Sequence, residues 1–381
     1  MKYGFNSWNS WDRLKECMVG NVYPTDFFSV YKDKRIGDAL EKVNEDSRQD
    51  IANLINILKS ASVKVIQTPS KFIDKRGNTI DDVNKNIEYS NTIQKPMLSP
   101  RDDFIVMGDT LVNTSANHAY NTWGPWQGCD DYINLTRDFD EKWNDPEMTK
   151  FKETLMTDEF DVDAPCIMRA GKDIQVDISH HNKGTMEFAN TWLPKHMPNF
   201  RVNTIEMGGH SDAVICLVKP GLIISHRKVN NYDELYPGWE VIYVDRPMDE
   251  YIDAYWEQKN NIPSVINYWI DGQESNNVLH EFIGKWMQVG HVYETHFNVN
   301  CLSIDESTLV CNYYDKELAQ KLKKHNVELV EAPMRHRHFW DCGVHCATVD
   351  LIREGECKDY FPTRKQGQFF GKPWGNNETR R

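Results

Sequence analysis

Cys346, His210 and three aspartates, Asp102, Asp163 and Asp212, are the residues whose types and placement could carry covalent chemistry together. A free thiol is largely protonated near neutrality, so a nucleophilic cysteine needs an imidazole beside it to take its proton or lower its pKa. His210 is suited to that work, and Asp163 to orienting its ring and stabilising the imidazolium. Asp102 and Asp212 form a second pair of uses. A planar cation such as a guanidinium presents forked N–H donors that carboxylates accept in pairs. Each residue also has a plainer reading: Asp102 in Pro100-Arg101-Asp102 as a turn residue, His210 after Gly208-Gly209 as a loop contact, Cys346 as packing in an apolar strand.

What favours the chemical reading is a shared position along the chain. Four apolar hairpins carry turn residues at their centres: Phe104–Val112 around Gly108-Asp109, Cys166–Ile174 around Gly171, Ala213–Ser225 around Lys219-Pro220-Gly221, and Cys301–Cys311 around Asp305-Glu306-Ser307. Asp102 stands just before the first hairpin, Asp163 before the second, His210 and Asp212 before the third, and Asn298 and Asn300, expected to bind substrate, before the fourth. Cys346 opens the strand Ala347–Leu351.

Helical stretches leading into short alternating strands recur between these hairpins: 38–61 into Val63–Ile66, 184–196 into Arg201–Ile205, a shorter stretch into Trp239–Val244, and 316–325 into Val327–Val330. Cys17–Val22 and Cys346–Leu351 are expected to combine as a fifth, closing unit. Five such units predict an α/β fold of five-fold pseudo-symmetry, a propeller of mixed hairpin, helix and strand units, in which equivalent positions converge on the axis. Residues 1–366 are expected to form this single domain, 115–144 a surface excursion rich in Trp, Tyr, Asn and Asp, and 367–381 a flexible tail.

The resemblance these residues carry is to the glycine amidinotransferase family. Pro100-Arg101-Asp102, Asp163-Ala164 followed by Arg169–Ile174, His210-Ser211-Asp212, and Gly343–Thr348 match its motifs in order. Asn6-Ser7-Trp8 through Gly20 and Gly355–Pro362 are similar to its two ends. The resemblance implies a five-fold α/β propeller and transfer of an amidino group from arginine to a primary amine through an amidino-cysteine. It makes Cys346 the nucleophile, His210 the acid and base, Asp163 its partner, and Asp102 and Asp212 the guanidinium ligands, with no metal or organic cofactor. Glycine is the first acceptor it suggests, lysine or another primary amine the second, since Gly208-Gly209 leaves room near His210. A homodimer is also implied.

The chain departs from the family where the donor's α-carboxylate should bind. Tyr293-Glu294 stand, upstream of Asn298-Val299-Asn300, in place of paired serines; the arginine expected after the third hairpin is out of register, with Arg227 the nearest candidate and Lys228 next. Either one of these cations holds the carboxylate, or the donor is not free arginine.

Composition narrows the other classes. Lys plus Arg 44 against Asp plus Glu 57 gives a net charge of −13, which repels a polyanion, so nucleic acid is not an expected partner. The longest apolar stretch, Ala213–Ser225, is interrupted by Lys219-Pro220-Gly221 and is too short to span a bilayer. Met1–Trp8 lacks the pattern of a secretory signal, and nine scattered cysteines suit reduced thiols, so a cytoplasmic protein is expected. Three competitors remain: a zinc centre of His336, His338, Cys342 and Cys346, a guanidino-binding protein without turnover, and a deiminase-like hydrolase in which water is the acceptor.

Overall fold

The computed structural model describes residues 4–68, 96, 98–102, 104–114, 155–156, 162–179, 183–207, 210–226, 232–244, 270, 272–273, 275–283 and 297–371. They build an α/β fold of five three-stranded sheets, each a hairpin-like antiparallel pair followed by a parallel third strand. The chain ends share the first sheet. There β1 (Leu14–Val19) pairs antiparallel with β15 (Thr348–Arg353), and parallel with β2 (Lys64–Gln67). Pairing of the two ends agrees with the expected closing unit.

The other four sheets repeat the scheme. They are β3 (Phe104–Met107), β4 (Thr110–Asn113) and β5 (Leu155–Met156); β6 (Ile167–Ala170), β7 (Asp173–Asp177) and β8 (Arg201–Ile205); β9 (Ile215–Lys219), β10 (Leu222–Ser225) and β11 (Glu240–Tyr243); and β12 (Leu302–Asp305), β13 (Thr308–Cys311) and β14 (Glu328–Glu331). All four predicted hairpins are present, as are the strands expected after helices. Strand β5 has no counterpart in the sequence reading, because a pairing of only two residues leaves no alternating pattern; the predicted excursion 115–144 lies outside the described residues.

Local chemistry sets the element ends. Helix α1 (Lys34–Ser60) begins four residues before the expected start because Asp33 caps it, its carboxylate accepting the Arg35 N–H at 3.0 Å. Its buried face, including Leu40, Val43, Ile51, Leu54 and Leu58, packs in one core with Leu14, Cys17, Val344 and Ala347 of the closing sheet and its approaches. In the second hairpin's tip, Gly171 has φ +64° and a Cβ there would lie 2.1 Å from the Lys358 carbonyl, so glycine is required twice over. The fourth hairpin turns instead on Asp305, whose carboxylate accepts the Ser307 N–H at 2.8 Å. Past the last sheet, the chain runs back beside β8: Gly367 donates to Val202 O (2.9 Å), Phe370 to Thr204 O (3.0 Å), and Phe370 is buried. Residues 367–371, the first of the predicted tail, are thus docked, and 372–381 lie outside the described residues.

Where the sheets meet, the interior is ionic. Asp350 on β15 is 1% exposed, and three arginines no more than 3% exposed converge on it. Arg101 Nη2 reaches Oδ1 at 2.7 Å; Arg169 Nη2 and Arg353 Nε reach Oδ2 at 2.7 and 2.8 Å. Ser7 Oγ donates to Oδ2 at 2.8 Å. Other guanidinium hydrogens reach backbone, Arg101 Nε to Thr348 O (2.9 Å), Arg353 Nη1 to Asp12 O (2.6 Å) and Arg169 Nη1 to Val106 O, and Arg169 Nη1 also donates to Ser7 Oγ (2.7 Å). One carboxylate thereby ties together three sheets and the N-terminal segment. Burial alone would push its carboxyl up, but Arg169, Arg101 and Arg353 outweigh that and hold it well below the usual carboxylate range.

Because the folded pKa of Asp350 is depressed, its stabilising effect is full above the unfolded value, about pH 4, and is lost as pH falls toward the folded value. Asp350→Asn leaves buried guanidiniums uncompensated and is expected to lower unfolding free energy by about 3–5 kcal/mol at pH 7. Urea titrations should show the gap between variant and wild type shrinking below about pH 4; a gap independent of pH would mean that shape, not charge, is lost.

Candidate active site

Each hairpin is entered through a short turn, and these turns bring the predicted residues together. Pro100–Asp102, Ala164–Cys166 and Ser211–Ala213 are single 3-10 turns, the second touching both of the others. Asp163 and His210 immediately precede the second and third of them. The first is fastened to the nucleophile candidate, since Arg101 N–H donates to the carbonyl of Cys346 at 3.2 Å. Asp102 therefore sits one residue from a direct bond to Cys346. Its own N–H is held by Ser99 O at 3.1 Å.

Around Cys346, which is 1% exposed, the contacts are short and directional. Its Sγ lies 3.7 Å from Asp212 Oδ2 and 3.0 Å from Asn300 Nδ2. Asp212 Oδ2 also accepts from Asn300 Nδ2 at 3.2 Å and from His345 Nδ1 at 2.7 Å. The second oxygen, Asp212 Oδ1, is buried and has no hydrogen-bond partner among the described residues. A buried carboxylate oxygen left unpaired costs free energy unless a ligand satisfies it. Asp163 Oδ2 faces His210 Nε2 at 3.6 Å, both side chains about a quarter exposed. Asp212 and His345 line one cavity together with Cys216, Cys301, Ser303, Arg101, Arg169 and Asp350.

The charges are set by this packing. Burial would raise the Asp212 carboxyl, but the His345 hydrogen bond and the charges of His345, His210 and Arg101 outweigh it and hold it below its ordinary value. His345 is itself lowered, by burial first and the Arg101 charge second, against the pull of Asp212. Asp212 Oδ2 thus accepts from a proton on His345 Nδ1.

No family model matches the chain. It is 21% identical to L-arginine:L-lysine amidinotransferase of Pseudomonas savastanoi pv. phaseolicola, over 93% of this chain and 96% of that one. The chain is thus similar to an amidinotransferase over nearly its whole length. Solved structures agree on the fold: an amidinotransferase of the saxitoxin biosynthetic pathway from Microseira wollei (TM-score 0.58, 18% identity, 94% of this chain and 99% of that one) and the inosamine-phosphate amidinotransferase of Streptomyces griseus (TM-score 0.58, 16% identity, 93% and 99%).

Within this site the structure gathers Cys346, Asp212 and Asn300 into one bonded group and pairs His210 with Asp163 on the adjoining turns. Asn298 is buried on the same turn as Asn300. Arg227, Lys228, Tyr293 and Glu294 lie outside the described residues. The zinc ligands considered from sequence do not converge: His336 Nε2 faces Asp46 Oδ2 at 3.1 Å, His338 lies edge-on to Phe297, and Cys342 Sγ points to Leu98 O at 3.7 Å. Among the described residues no group of three His, Cys, Asp or Glu is placed to hold a metal. No helix among them is long and apolar enough to cross a membrane. Sequence reasoning missed His345, Asn312 and Asp350; an aspartate in the apolar strand Ala347–Leu351 was the available signal for the last.

Burial silences most of the other thiols. It pushes Cys17, Cys216 and Cys311 up to about 12, and raises Cys166 and Cys301 well above the ordinary thiol value. Iodoacetamide treatment of the folded protein at pH 7, read peptide by peptide, should therefore modify Cys346 and the exposed Cys357 and leave those five intact. Modification of Cys166 or Cys301 at the rate of Cys346 would contradict the assignment of a single activated thiol to this turn.

Proposed function

We propose that the protein moves the amidino group of L-arginine to a primary amine through a covalent amidino-cysteine on Cys346. The observation that carries this reading is Asp212, which presents an unpartnered oxygen beside a thiol 3.7 Å from its other oxygen. A guanidinium bound there gains a charge-assisted bond and places its central carbon within reach of Sγ. It also neutralises the carboxylate that otherwise opposes ionisation of the thiol.

In the proposed sequence, Asp102 and Asp212 hold the guanidinium flat and Sγ attacks its carbon. The bond from that carbon to the ornithine nitrogen breaks as protonated His210, steadied by Asp163, delivers its proton to that nitrogen. His210 then takes a proton from the incoming amine, which attacks the same carbon and expels Sγ as thiolate. Asn298 is proposed to line the substrate side, and Arg227 to hold the donor's α-carboxylate.

For the acceptor, lysine takes precedence over glycine. The curated relative's name specifies lysine, and that of a structural neighbour an inosamine phosphate, both larger than glycine. We extend the proposal to closure of the five sheets as a propeller, supported by contacts of β15 with β3, β1 with β12, and β12 with β9, and to a single domain over 1–366. We further propose a homodimer on the family resemblance and a cytoplasmic location on the nine scattered cysteines.

Mass spectrometry of products from arginine with a panel of amines, lysine and glycine included, tests donor and acceptor. Release of citrulline without any transferred product would favour the hydrolase. Asp102→Asn and Asp212→Asn should each lower catalytic efficiency roughly 10- to 100-fold, the loss of one charge-assisted hydrogen bond, whereas Asn at the exposed Asp109 should change it by less than about twofold. Equal effects at all three positions would show that Asp102 and Asp212 are turn residues only.

A further inference from the structure

Asn300 stands where the sequence suggests a substrate ligand, yet its side chain is fully buried and its amide is spent on protein. Nδ2 carries two hydrogens, and two acceptors meet it: Cys346 Sγ at 3.0 Å and Asp212 Oδ2 at 3.2 Å. Oδ1 accepts two backbone N–H groups, from His345 at 2.9 Å and Cys346 at 3.3 Å. Those two donors fix which end of the amide is oxygen, so the end facing sulfur is the N–H end. The turn is shaped around it. A Cβ on Gly343 would lie 2.3 Å from Asn300 Oδ1 and 2.9 Å from the Phe297 ring. Asn312 braces the arrangement, donating to Phe297 O (2.7 Å) and Asn300 O (2.9 Å) and accepting from Val344 N–H (2.7 Å).

We propose that Asn300 is a positioning residue: its amide stabilises the Cys346 thiolate and fixes the distance between that sulfur and Asp212. The inference rests on the reading of Cys346 as nucleophile. These two contacts of Sγ correspond to its two protonation states, a thiol donating to Asp212 or a thiolate accepting from Asn300. Among the described residues, the charged and titratable groups around it include Asp212, which opposes the thiolate, His345, tied to Asp212, and His210, whose charge acts on Asp212. Arg101 holds the Cys346 carbonyl by its backbone N–H while its guanidinium pairs with Asp350, which two further arginines also neutralise. An N–H aimed at sulfur favours the charged form against the adjacent carboxylate.

The test is the pH dependence of iodoacetamide alkylation at Cys346, measured on its peptide without any guanidino compound present. Asn300→Ala should move the midpoint up by about one to two pH units, the worth of one hydrogen bond to a charged group. Asn300→Asp should move it at least as far, since a donor becomes a second carboxylate. Gly343→Ala, which crowds the amide without altering its chemistry, should shift it in the same direction by less. Unchanged midpoints in those variants that melt as folded proteins would overturn the proposal and leave the amide a packing role. Because no donor substrate is used, the outcome is independent of whether the protein transfers amidino groups.

Discussion

The carboxylate of Asp350 is the point on which this fold and its site both depend. It sits on the last strand, and the three guanidiniums that neutralise it come from the entrance turn of the second sheet, from β6 in the third, and from β15 itself. An unpaired charge at such depth would be prohibitive, so partners distant in sequence must arrive together. Three cations around one anion leave an excess of positive charge in the interior. Arg101, Arg169 and Arg353 line the same cavity as Asp212 and His345.

Arg101 transmits this arrangement to the chemistry. Its side chain is locked to Asp350 and Thr348, its backbone N–H holds the Cys346 carbonyl, and the next residue is Asp102. Its charge lowers the pKa of both Asp212 and His345. Above this ionic base lies a layer of amides, where Asn312 braces Asn300 and Asn300 grips the turn bearing the thiol. Rigid, dry support of this kind lets one thiol among several differ from its neighbours.

The repeated hairpins were legible because alternation and turn residues are local signals, and the polar residue before each hairpin was legible because the repeat gives it an equivalent place. Asp212 and Cys346 were found in that way, as was the pairing of β1 with β15. Other features were not local. The partners of Asp350 are at 101, 169 and 353, with no spacing that announces them, and His345 appeared only as a motif neighbour of Cys346. Asn300 was read from the sequence as a substrate ligand, and the structure turns its amide toward Cys346 and Asp212, since a sequence does not say whether an amide faces a ligand or the protein. The zinc alternative shows the converse: His336, His338, Cys342 and Cys346 are close in sequence but turn to different partners.

The central claim is that Cys346 carries the amidino group between two amines. Incubation of the protein with arginine and no acceptor, followed by acid quench and mass analysis of the Cys346 peptide, tests it most directly. The account predicts a mass increase of one amidino group on that peptide, matched by free ornithine and discharged when the acceptor amine is added. Ornithine formation or amidino transfer with Cys346 unmodified, or persisting in Cys346→Ala, would contradict it.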